Sequence, residues 1–496
     1  MTQSAGIFPR ARLVAGRAPL RAGSLVALAL VLSFALPAAA QAKLKTYTLQ
    51  NGPIRMGNFN VKFPKVPTRA PGVDGYVVGM TTSLVDRRGR AITIRDVMLH
   101  HIVFHRVGRS GGRWPCSGAS GEAIYGTGEE KQNLRLPTGY GYRVRKGDKW
   151  RLTAMLMSHS EEPRNVYIRY RVTVMTGKQL KIVRPFWVRA SGCGAQVSYP
   201  VEGGGEPGST DTRAYNWKVP FNGRIVAVGG HLHGGARDMW LSQPRCGDRR
   251  LLDTSPRFGM PDNLYYRAKP ILHEPGPVDT RYFLSRQGIP VRKGETIRLT
   301  GAYEKTRPHP RVMAIMHVYL SPDNSVPAGC RPLPADRREL TKYKRVRTEP
   351  PAVNVPLNTL GADGHTHTVT TPLTGAKPLA DGATVALRNA RFTPGHVSVE
   401  AGSSLTWRFQ DAIPHNVLLA SGPRLVGSPT LSRGTATSRF AVPGRYELFC
   451  YLHPITMHEV VDVRPRNGLA PPAAASASSS APAGADPGAS GGDEAW

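Results

Sequence analysis

The chain of 496 residues is poor in acidic side chains, with 34 acidic against 66 basic residues and a formal net charge of +32. The basic residues are scattered through strand-like segments. The compact basic cluster KYKRVR (342–347) has no interleaved aromatic side chains, which argues against specific nucleic-acid binding. We instead expect electrostatic association with anionic cell-envelope polymers or membrane surfaces.

Helical periodicity is also scarce, since no apolar stripe at helical spacing exceeds about three turns. Short segments rich in Val, Ile and Tyr dominate instead, and Gly, Pro or charged turns bound them. Examples are RAITIRDVMLHHIVFH, NVYIRYRVTVM, GRIVAVGGHLH and RVMAIMHVYL. Several alternate apolar and polar residues, as half-buried antiparallel strands do. The pattern predicts an all-β protein built from antiparallel β-sandwiches.

Long apolar runs are absent beyond the N-terminus, where four arginines precede the run LVALALVLSFALPAAA. This order predicts a secretory signal peptide over residues 1–42, with cleavage after Ala40 or Ala42. An uncleaved anchor is the alternative, although the run is shorter than the roughly 20 residues of a spanning helix. We therefore expect a secreted or extracytoplasmic protein, in a compartment where disulfides persist.

Composition divides the rest of the chain into three strand-rich blocks, because glycine-rich and low-complexity stretches separate them. A chain of this length is too long for one hydrophobic core, which agrees with the division. The predicted parts are a first lobe at 43–202, a Gly-rich linker at 203–210, a second lobe at 211–331, a linker at 332–382, a C-terminal sandwich at 383–465 and a disordered tail at 466–496.

Cysteine is rare, and the five present are an odd number. In an exported protein this predicts two disulfides and one sulfur kept for other chemistry. Cys450 is the candidate for that sulfur, because strand alternation in RYELFC places its thiol on the face of core residues. His453 and Met457 follow in the next loop, and His415 lies 35 residues upstream. Two imidazoles, a thiolate and a thioether are donors that suit copper cycling between Cu(I) and Cu(II).

This stretch resembles the cupredoxin family, the blue-copper electron carriers, over about 80 residues. PHNV matches the family's upstream histidine loop, and Cys450-x-x-His453 with a following Met matches its ligand loop. The resemblance implies a Greek-key β-sandwich with a type 1 copper held by His415, Cys450, His453 and Met457. His458 is the alternative axial ligand to Met457.

With Cys450 assigned to metal, four cysteines remain and three connectivities are open. A disulfide between two cysteines of the same lobe can form before the lobes dock. We therefore expect the bridges Cys116–Cys193 in the first lobe and Cys246–Cys330 in the second.

The two lobes contain a second group of metal-ligand residue types. MLHHIVFH places two histidines side by side on a strand, and MLMSHS ends in a third. GGHLHGG has two histidines at alternate positions, where a strand projects both imidazoles from one face. The candidate metal ligands are the first-lobe set, His100, His101 and His159, and the second-lobe set, His231, His233 and Met316.

The order of these residues resembles the copper type II, ascorbate-dependent monooxygenases, the family of peptidylglycine α-hydroxylating and dopamine β-monooxygenases. In that family two β-sandwich lobes face each other across a solvent-filled cleft. The resemblance implies that the first-lobe set holds an electron-supplying copper. It implies that the second-lobe set is catalytic and holds an oxygen-binding copper. Within the two lobes the histidines without an assigned role are His105, His273, His309 and His317, and the pair in GHTHT (364–368) of the linker is also left unassigned.

Together these features predict a secreted copper-dependent monooxygenase that hydroxylates a C–H bond with O2, with a fused blue-copper domain supplying electrons. Its cofactors would be copper at two type II-like sites and one type 1 site. Its partners would be a small-molecule or peptide-like substrate and an external reductant. The alternative is a non-catalytic extracytoplasmic protein for copper binding or electron transfer, which oxygen consumption would distinguish.

Overall fold

The computed structural model describes residues 42–108, 121–194, 196–353, 355–360, 366–369 and 375–466. Cys116 and nearly all of the predicted signal peptide and tail lie outside these ranges. Within them, helix is confined to α1 (Leu264–Arg267) and a 3-10 turn (Pro244–Cys246), and no helix is long and apolar enough to cross a membrane. Strands form the rest of the regular structure, so the predicted all-β fold is confirmed.

The first lobe is a sandwich of two mainly antiparallel sheets. Its strands are β1 (Lys43–Met56), β2 (Val61–Lys62), β3 (Lys65–Thr68), β4 (Gly75–Val85), β5 (Val97–Arg106), β6 (Glu122–Gly128), β7 (Leu134–Arg135), β8 (Tyr140–Val144), β9 (Trp150–Ser158), β10 (Arg164–Thr176) and β11 (Lys181–Ile182). One sheet has the order β1-β10-β4-β8-β11 with β7 beside β4, and the other has the order β2-β9-β5-β6 with β3 beside β9. The rings of Phe104 and Tyr170, one from each sheet, lie 4.9 Å apart in the shared core.

The second lobe repeats this arrangement. Its strands are β12 (Arg184–Arg189), β13 (Tyr199–Val201), β14 (Thr210–Lys218), β15 (Gly223–Leu232), β16 (Ala236–Gln243), β17 (Arg249–Asp253), β18 (Pro256–Arg257), β19 (Asp279–Thr280), β20 (Tyr282–Val291), β21 (Thr296–Glu304), β22 (His309–Val312), β23 (Ala314–Pro322) and β24 (Arg338–Leu340). The sheets β12-β23-β15-β20-β24 and β14-β21-β16-β17 enclose its core, and β13-β22 and β18-β19 are separate pairs.

The boundary between the lobes differs from the predicted one at residue 202. β12 pairs with β23, and β13 pairs with β22, so the second lobe begins near Arg184. The Gly-rich stretch at 203–210 is a connection inside the second lobe. Its composition marks a turn, and composition carries no information about which strand pairs with which.

The predicted linker at 332–382 is attached to the second lobe over much of its described length. β24 adds to the edge of β20, and the N–H of Arg347 donates to the carbonyl of Phe258 at 2.8 Å. Further along, the side-chain amide of Asn358 donates to the carbonyl of Ile271 at 3.2 Å. The segment then forms the pair β25 (Asn358–Leu360) and β26 (Thr366–Thr368). Its Pro- and Thr-rich composition gave no sign of these contacts.

The C-terminal sandwich has its own core. Its strands are β27 (Lys377–Pro378), β28 (Thr384–Arg388), β29 (Arg391–Thr393), β30 (His396–Glu400), β31 (Ser404–Phe409), β32 (Leu418–Ser421), β33 (Gly434–Arg439), β34 (Gly444–Phe449) and β35 (His458–Arg464). The two sheets have the orders β27-β30-β35-β34-β32 and β29-β28-β31-β33. Trp407 and Tyr446, from opposite sheets, are fully buried between them.

The cysteines follow the predicted division between structural and free thiols. Cys246 and Cys330 form a disulfide, which confirms that pairing. Cys193 is also disulfide-bonded, and its predicted partner Cys116 lies outside the described residues. Cys450 is a buried free thiol. One sulfur is thus available for other chemistry.

Candidate metal centres

The C-terminal sandwich brings one thiol and two imidazoles together at one end. Cys450 follows β34, and its sulfur lies 3.8 Å from Nδ1 of His415 and 3.6 Å from Nδ1 of His453. The two Nδ1 atoms are 3.2 Å apart. A bridge to Leu431 fixes His415, and a tight turn lets the N–H of His453 donate to the carbonyl of Cys450 at 3.0 Å. The three predicted ligands therefore converge on one point.

Hydrogen bonds around this site orient its donor atoms. Nε2 of His415 lies 2.7 Å from Oδ2 of Asp411, so a proton held there leaves Nδ1 as a lone-pair donor facing the sulfur. The backbone N–H of Asn416 donates to the Cys450 sulfur at 3.5 Å. Oδ1 of Asn416 accepts a hydrogen bond from the N–H of Tyr451 at 2.9 Å. The upstream histidine loop and the ligand loop are thereby joined.

The donor set fits a copper ion. Burial raises the pKa of the Cys450 thiol, whereas burial and then the charge of His415 lower the pKa of His453. A bound cation would reverse the first effect and hold the sulfur as a thiolate. One soft sulfur with two imidazoles suits an ion that cycles between Cu(I) and Cu(II).

Met457 is the better placed of the two candidate axial ligands. It is fully buried in the same core, and its carbonyl accepts a hydrogen bond from the N–H of Cys450 at 3.1 Å. Nε2 of His458 lies 3.0 Å from the carbonyl of Pro454 and is therefore engaged as a donor. That nitrogen offers no lone pair to a metal, which favours Met457.

The C-terminal part of the chain is similar to known copper proteins. Over 81 residues the chain is 37% identical to amicyanin-alpha of Methylorubrum extorquens AM1, covering 16% of this chain and 68% of that protein. The chain belongs to the cupredoxin family through an amicyanin-like domain. The solved structure of an amicyanin variant in its Cu(I) form is 25% identical to this chain. The match covers 17% of this chain and 83% of the amicyanin chain, with a TM-score of 0.16. The solved structure of a purple cupredoxin from Nitrosopumilus maritimus is 23% identical to this chain. The match covers 16% of this chain and 99% of the purple cupredoxin, with a TM-score of 0.15.

No protein-family model matches the chain. The prediction of a cupredoxin domain is confirmed. The resemblance of the two lobes to copper monooxygenases stays a prediction.

The histidines of the two lobes form one buried cluster rather than two separated sites. The ring centroids of His100 and His101 are 5.3 Å apart, and His100 lies 5.3 Å from His233. His233 in turn lies 5.1 Å from His231. The two predicted sets therefore meet where the lobes contact each other. This differs from the solvent-filled cleft that the family resemblance implied.

Met316 and His159 belong to the predicted ligand sets but do not join this histidine cluster. Met316 lies opposite Gly230 in the register of β15 and β23, and its side chain packs in the core of the second lobe. Since strand residues alternate between faces, His231 points to the opposite side. Met313 lines a cavity beside His233 instead. The methionine that shares the histidine face is thus Met313, whereas Met316, the predicted ligand, lies on the opposite face of the strand.

His159 follows β9 and is buried. Burial, and after it the charge of the nearby His273, lowers the pKa of His159 to about 4. Within the described residues, the ligand atoms of His159 are not part of the group that includes His100. The neighbouring imidazole that affects the pKa of His159 is therefore that of His273, a residue without a predicted role.

Two adjacent glutamates that the sequence interpretation missed complete the cluster. Oε1 of Glu129 lies 2.6 Å from Nε2 of His273 and 3.4 Å from Nε2 of His100. Oε2 of Glu130 lies 3.0 Å from Nδ1 of His231. Burial opposes protonation of His231, but the Glu130 carboxylate outweighs it and raises the pKa of His231. The motif GTGEEKQ could have indicated both glutamates, because two acidic residues directly after a buried strand need partners.

Burial favours the neutral form of three other imidazoles of the cluster, those of His100, His101 and His233. Burial, reinforced by neighbouring imidazoles, lowers the pKa of His100 and of His233 well below the usual range. Burial, and then the charge of His231, lowers the pKa of His101 to about 3. Neutral imidazole is the form that binds metal ions. The cluster can therefore supply several nitrogen donors at neutral pH.

A cavity of about 210 Å³ adjoins the cluster. His101 and His233 line it from the two lobes, and Met313 lies in the same wall. Phe449 and Tyr451 close it from the cupredoxin domain. The cupredoxin ligand loop and the buried histidines therefore border the same space.

Proposed function

We propose that the protein is a copper oxidoreductase in which the cupredoxin domain passes electrons to metal ions held by the histidine cluster of the two lobes. The docking of Tyr451 carries this proposal. Tyr451 directly follows the candidate copper ligand Cys450, and its hydroxyl lies 3.6 Å from Sδ of Met155 in the first lobe. Met155 pairs with His101 in the register of β5 and β9.

The four donors of the cupredoxin site would hold a type 1 copper, which supplies one-electron redox chemistry when bound. The chain itself keeps the donor atoms in place for both oxidation states. Asp411 engages Nε2 of His415, and Asn416 joins the two ligand loops. The ligands therefore need little movement when the charge of the site changes.

The path from this site to the first lobe is short and apolar. Tyr451 and Phe449 belong to one buried cluster with Met98 and Met155. A close-packed contact of this kind excludes water and fixes the separation of the groups on either side. Tyr451 is bonded directly to Cys450, which carries the candidate thiolate, and its hydroxyl contacts Met155 of the first lobe at 3.6 Å.

The reaction that we propose is hydroxylation of a C–H bond with O2, with a small-molecule or peptide-like substrate and an external reductant. The cavity supports it, because His233 and Met313 stand there beside apolar walls from Phe63 and Leu418. An imidazole and a thioether are soft enough donors for Cu(I). The apolar walls would exclude water from a bound substrate.

A non-catalytic protein for copper binding or electron transfer is the second candidate. Glu130 favours it. Oε2 of Glu130 already lies 3.0 Å from Nδ1 of His231, a member of the predicted oxygen-binding set, and this contact competes with binding of an oxygen-activating copper. Reaction with O2 separates the two candidates.

The test is to reduce the copper-loaded protein, mix it with O2 and follow the return of the blue absorption. We expect rapid return in the wild type and a rate at least tenfold lower in His101→Ala, with the same final absorption. An equal rate in both proteins would contradict the electron path. A wild type that stays colourless for as long as an isolated cupredoxin domain would favour the non-catalytic candidate.

We further propose that the protein acts outside the cytoplasm. The Cys246–Cys330 disulfide supports this location, because such bonds persist in oxidising compartments. The formal net charge of +32 supports association with anionic envelope polymers. Fractionation of the native host, with elution of the protein by salt, tests both points.

A further inference from the structure

We propose that His100, Glu129 and His273 form a metal site for a divalent first-row transition ion, closed across the contact between the two lobes. The site includes a carboxylate, and His100 is the one member that it shares with the three-imidazole set that the family resemblance implied. Binding of the ion at this site does not depend on electron transfer by the cupredoxin domain.

The three groups offer converging donor atoms. Nε2 of His273 and Nε2 of His100 lie 2.6 Å and 3.4 Å from the same oxygen, Oε1 of Glu129. One ligand atom from each residue lies within 4.8 Å of the other two. The cupredoxin site shows the same inward clustering of its donors, with separations of 3.2 to 3.8 Å. An ion pair between Glu129 and His273 needs no second imidazole, so the position of His100 points to a shared ion.

Neighbouring groups hold these donors in the orientation that a metal requires. The N–H of Gly276 donates to Oε2 of Glu129 at 2.8 Å and leaves Oε1 facing the two imidazoles. A Cβ on Gly276 would stand 2.6 Å from that Oε2, so a larger residue there would push the carboxylate aside. Nδ1 of His100 lies 3.1 Å from Nδ1 of His101, and when Nδ1 of His100 is the donor in this contact, Nε2 of His100 keeps its lone pair for a metal.

His233 offers a fourth donor at the same place. Its ring lies 5.3 Å from that of His100. Its Nδ1 lies 2.9 Å from the carbonyl of Arg311 and donates to it, whereas its buried Nε2 has no hydrogen-bond partner. A buried nitrogen without a partner is costly unless a ligand engages it. The cavity beside His233 leaves room for an exchangeable ligand.

The donor types define the class of ion. Two imidazoles and one carboxylate suit Fe(II), Zn(II) or Cu(II), and the absence of sulfur from the set distinguishes it from the cupredoxin site. His100 and Glu129 belong to the first lobe and His273 to the second. An ion bound by all three therefore binds only the docked lobes, and it stabilises the folded protein against unfolding.

The experiment loads chelator-treated full-length protein separately with Fe(II), Zn(II) and Cu(II). Bound metal per chain is measured after gel filtration, together with thermal unfolding. Glu129→Gln keeps the shape of the side chain and removes its charge, and His273→Gln is the second ligand variant. Glu122→Gln is the matched control, because Glu122 is buried on β6 and bonds to Tyr142 away from the cluster.

We expect the wild type and Glu122→Gln to hold one ion more than either ligand variant, and to show a rise in Tm on loading that the variants lose. In the copper arm all four proteins should develop the same blue absorption, which verifies their folding. Equal metal content in all four would overturn the proposal. Loss of the ion in Glu130→Gln with retention in Glu129→Gln would also overturn it. A missing blue band would instead contradict the proposed cupredoxin site and leave this metal count unaffected.

Discussion

The hydroxyl of Tyr451 lies 3.6 Å from the thioether sulfur of Met155, and this contact joins the cupredoxin ligand loop to β9 of the first lobe. Both side chains are buried in one apolar cluster. The sequence interpretation expected only a linker at 332–382 between the lobes and the cupredoxin domain. The contact instead holds the domain against the lobes.

Tyr451→Ala should weaken this docking, because loss of a buried aromatic ring costs about 3–5 kcal/mol. We expect the cupredoxin domain of the variant to unfold separately and at a lower temperature than the rest of the chain. Tyr451→Phe keeps the ring and should retain the wild-type unfolding profile. Differential scanning calorimetry, with the blue absorption as a probe of the copper site, distinguishes these outcomes. Identical profiles for wild type and Tyr451→Ala would contradict the docking.

The accuracy of the sequence interpretation depended on how far apart in the chain the relevant residues lie. Cys450 and His453 are three positions apart, so one turn fixes their relation whatever the rest of the fold does. The choice between Met313 and Met316 depended on the register of β23 against β15, and a shift of an odd number of residues reverses the face. Strand alternation within β23 alone could not supply that register.

The missed residues illustrate the same limit. Glu129 and His273 are 144 positions apart, and only the docking of two lobes brings them together. Likewise β12 follows the first lobe in the chain but pairs with β23, because its edge and hydrophobic face fit the second lobe. The motif GTGEEKQ indicates that Glu129 needs a partner, but no local signal identifies His273 as that partner or β23 as the partner of β12.

Cys450→Ser should abolish the blue absorption of the copper-loaded protein, because a hydroxyl replaces the thiolate that produces the charge-transfer band. Met457→Leu should retain a blue band at an altered wavelength and raise the reduction potential, since it removes a weak ligand. His458→Ala should leave the spectrum unchanged. Absorption and EPR spectra measure all three. An unaltered spectrum in Met457→Leu combined with a changed one in His458→Ala would reverse the axial assignment.

The Cys246–Cys330 disulfide closes a loop with a sequence separation of 84 residues in the second lobe. Removing it with Cys246→Ser and Cys330→Ser should lower stability by up to about 4 kcal/mol, because the unfolded chain gains freedom. The loss should appear in the unfolding of the lobes, and the blue absorption at room temperature should persist. Denaturant unfolding with fluorescence and absorption probes measures the two separately. A loss of blue colour without a change in stability would contradict this prediction.

His309 should make the stability of the second lobe depend on pH. Nδ1 and Nε2 of its buried ring lie 2.7 Å from Oε2 of Glu274 and 2.9 Å from Oε1 of Glu304. Burial opposes its protonation, but hydrogen bonds to the two carboxylates outweigh burial and raise its pKa from 6.5 to about 9. Burial opposes ionisation of Glu304, but hydrogen bonds led by that from His309 lower its pKa to about 2. The imidazolium is therefore stabilised between two anions.

A group whose pKa rises on folding contributes its full stability below its unfolded pKa and loses it as pH rises through the folded value. For His309 the contribution should be complete below pH 6.5 and lost by about pH 9, at about 1.4 kcal/mol per unit of pKa shift. His309→Gln should remove this slope. His231, whose pKa is also raised, is present in both proteins, so their difference isolates His309. Denaturant unfolding at pH 6, 7.5 and 9 measures it, and parallel pH curves for both proteins would contradict the assignment.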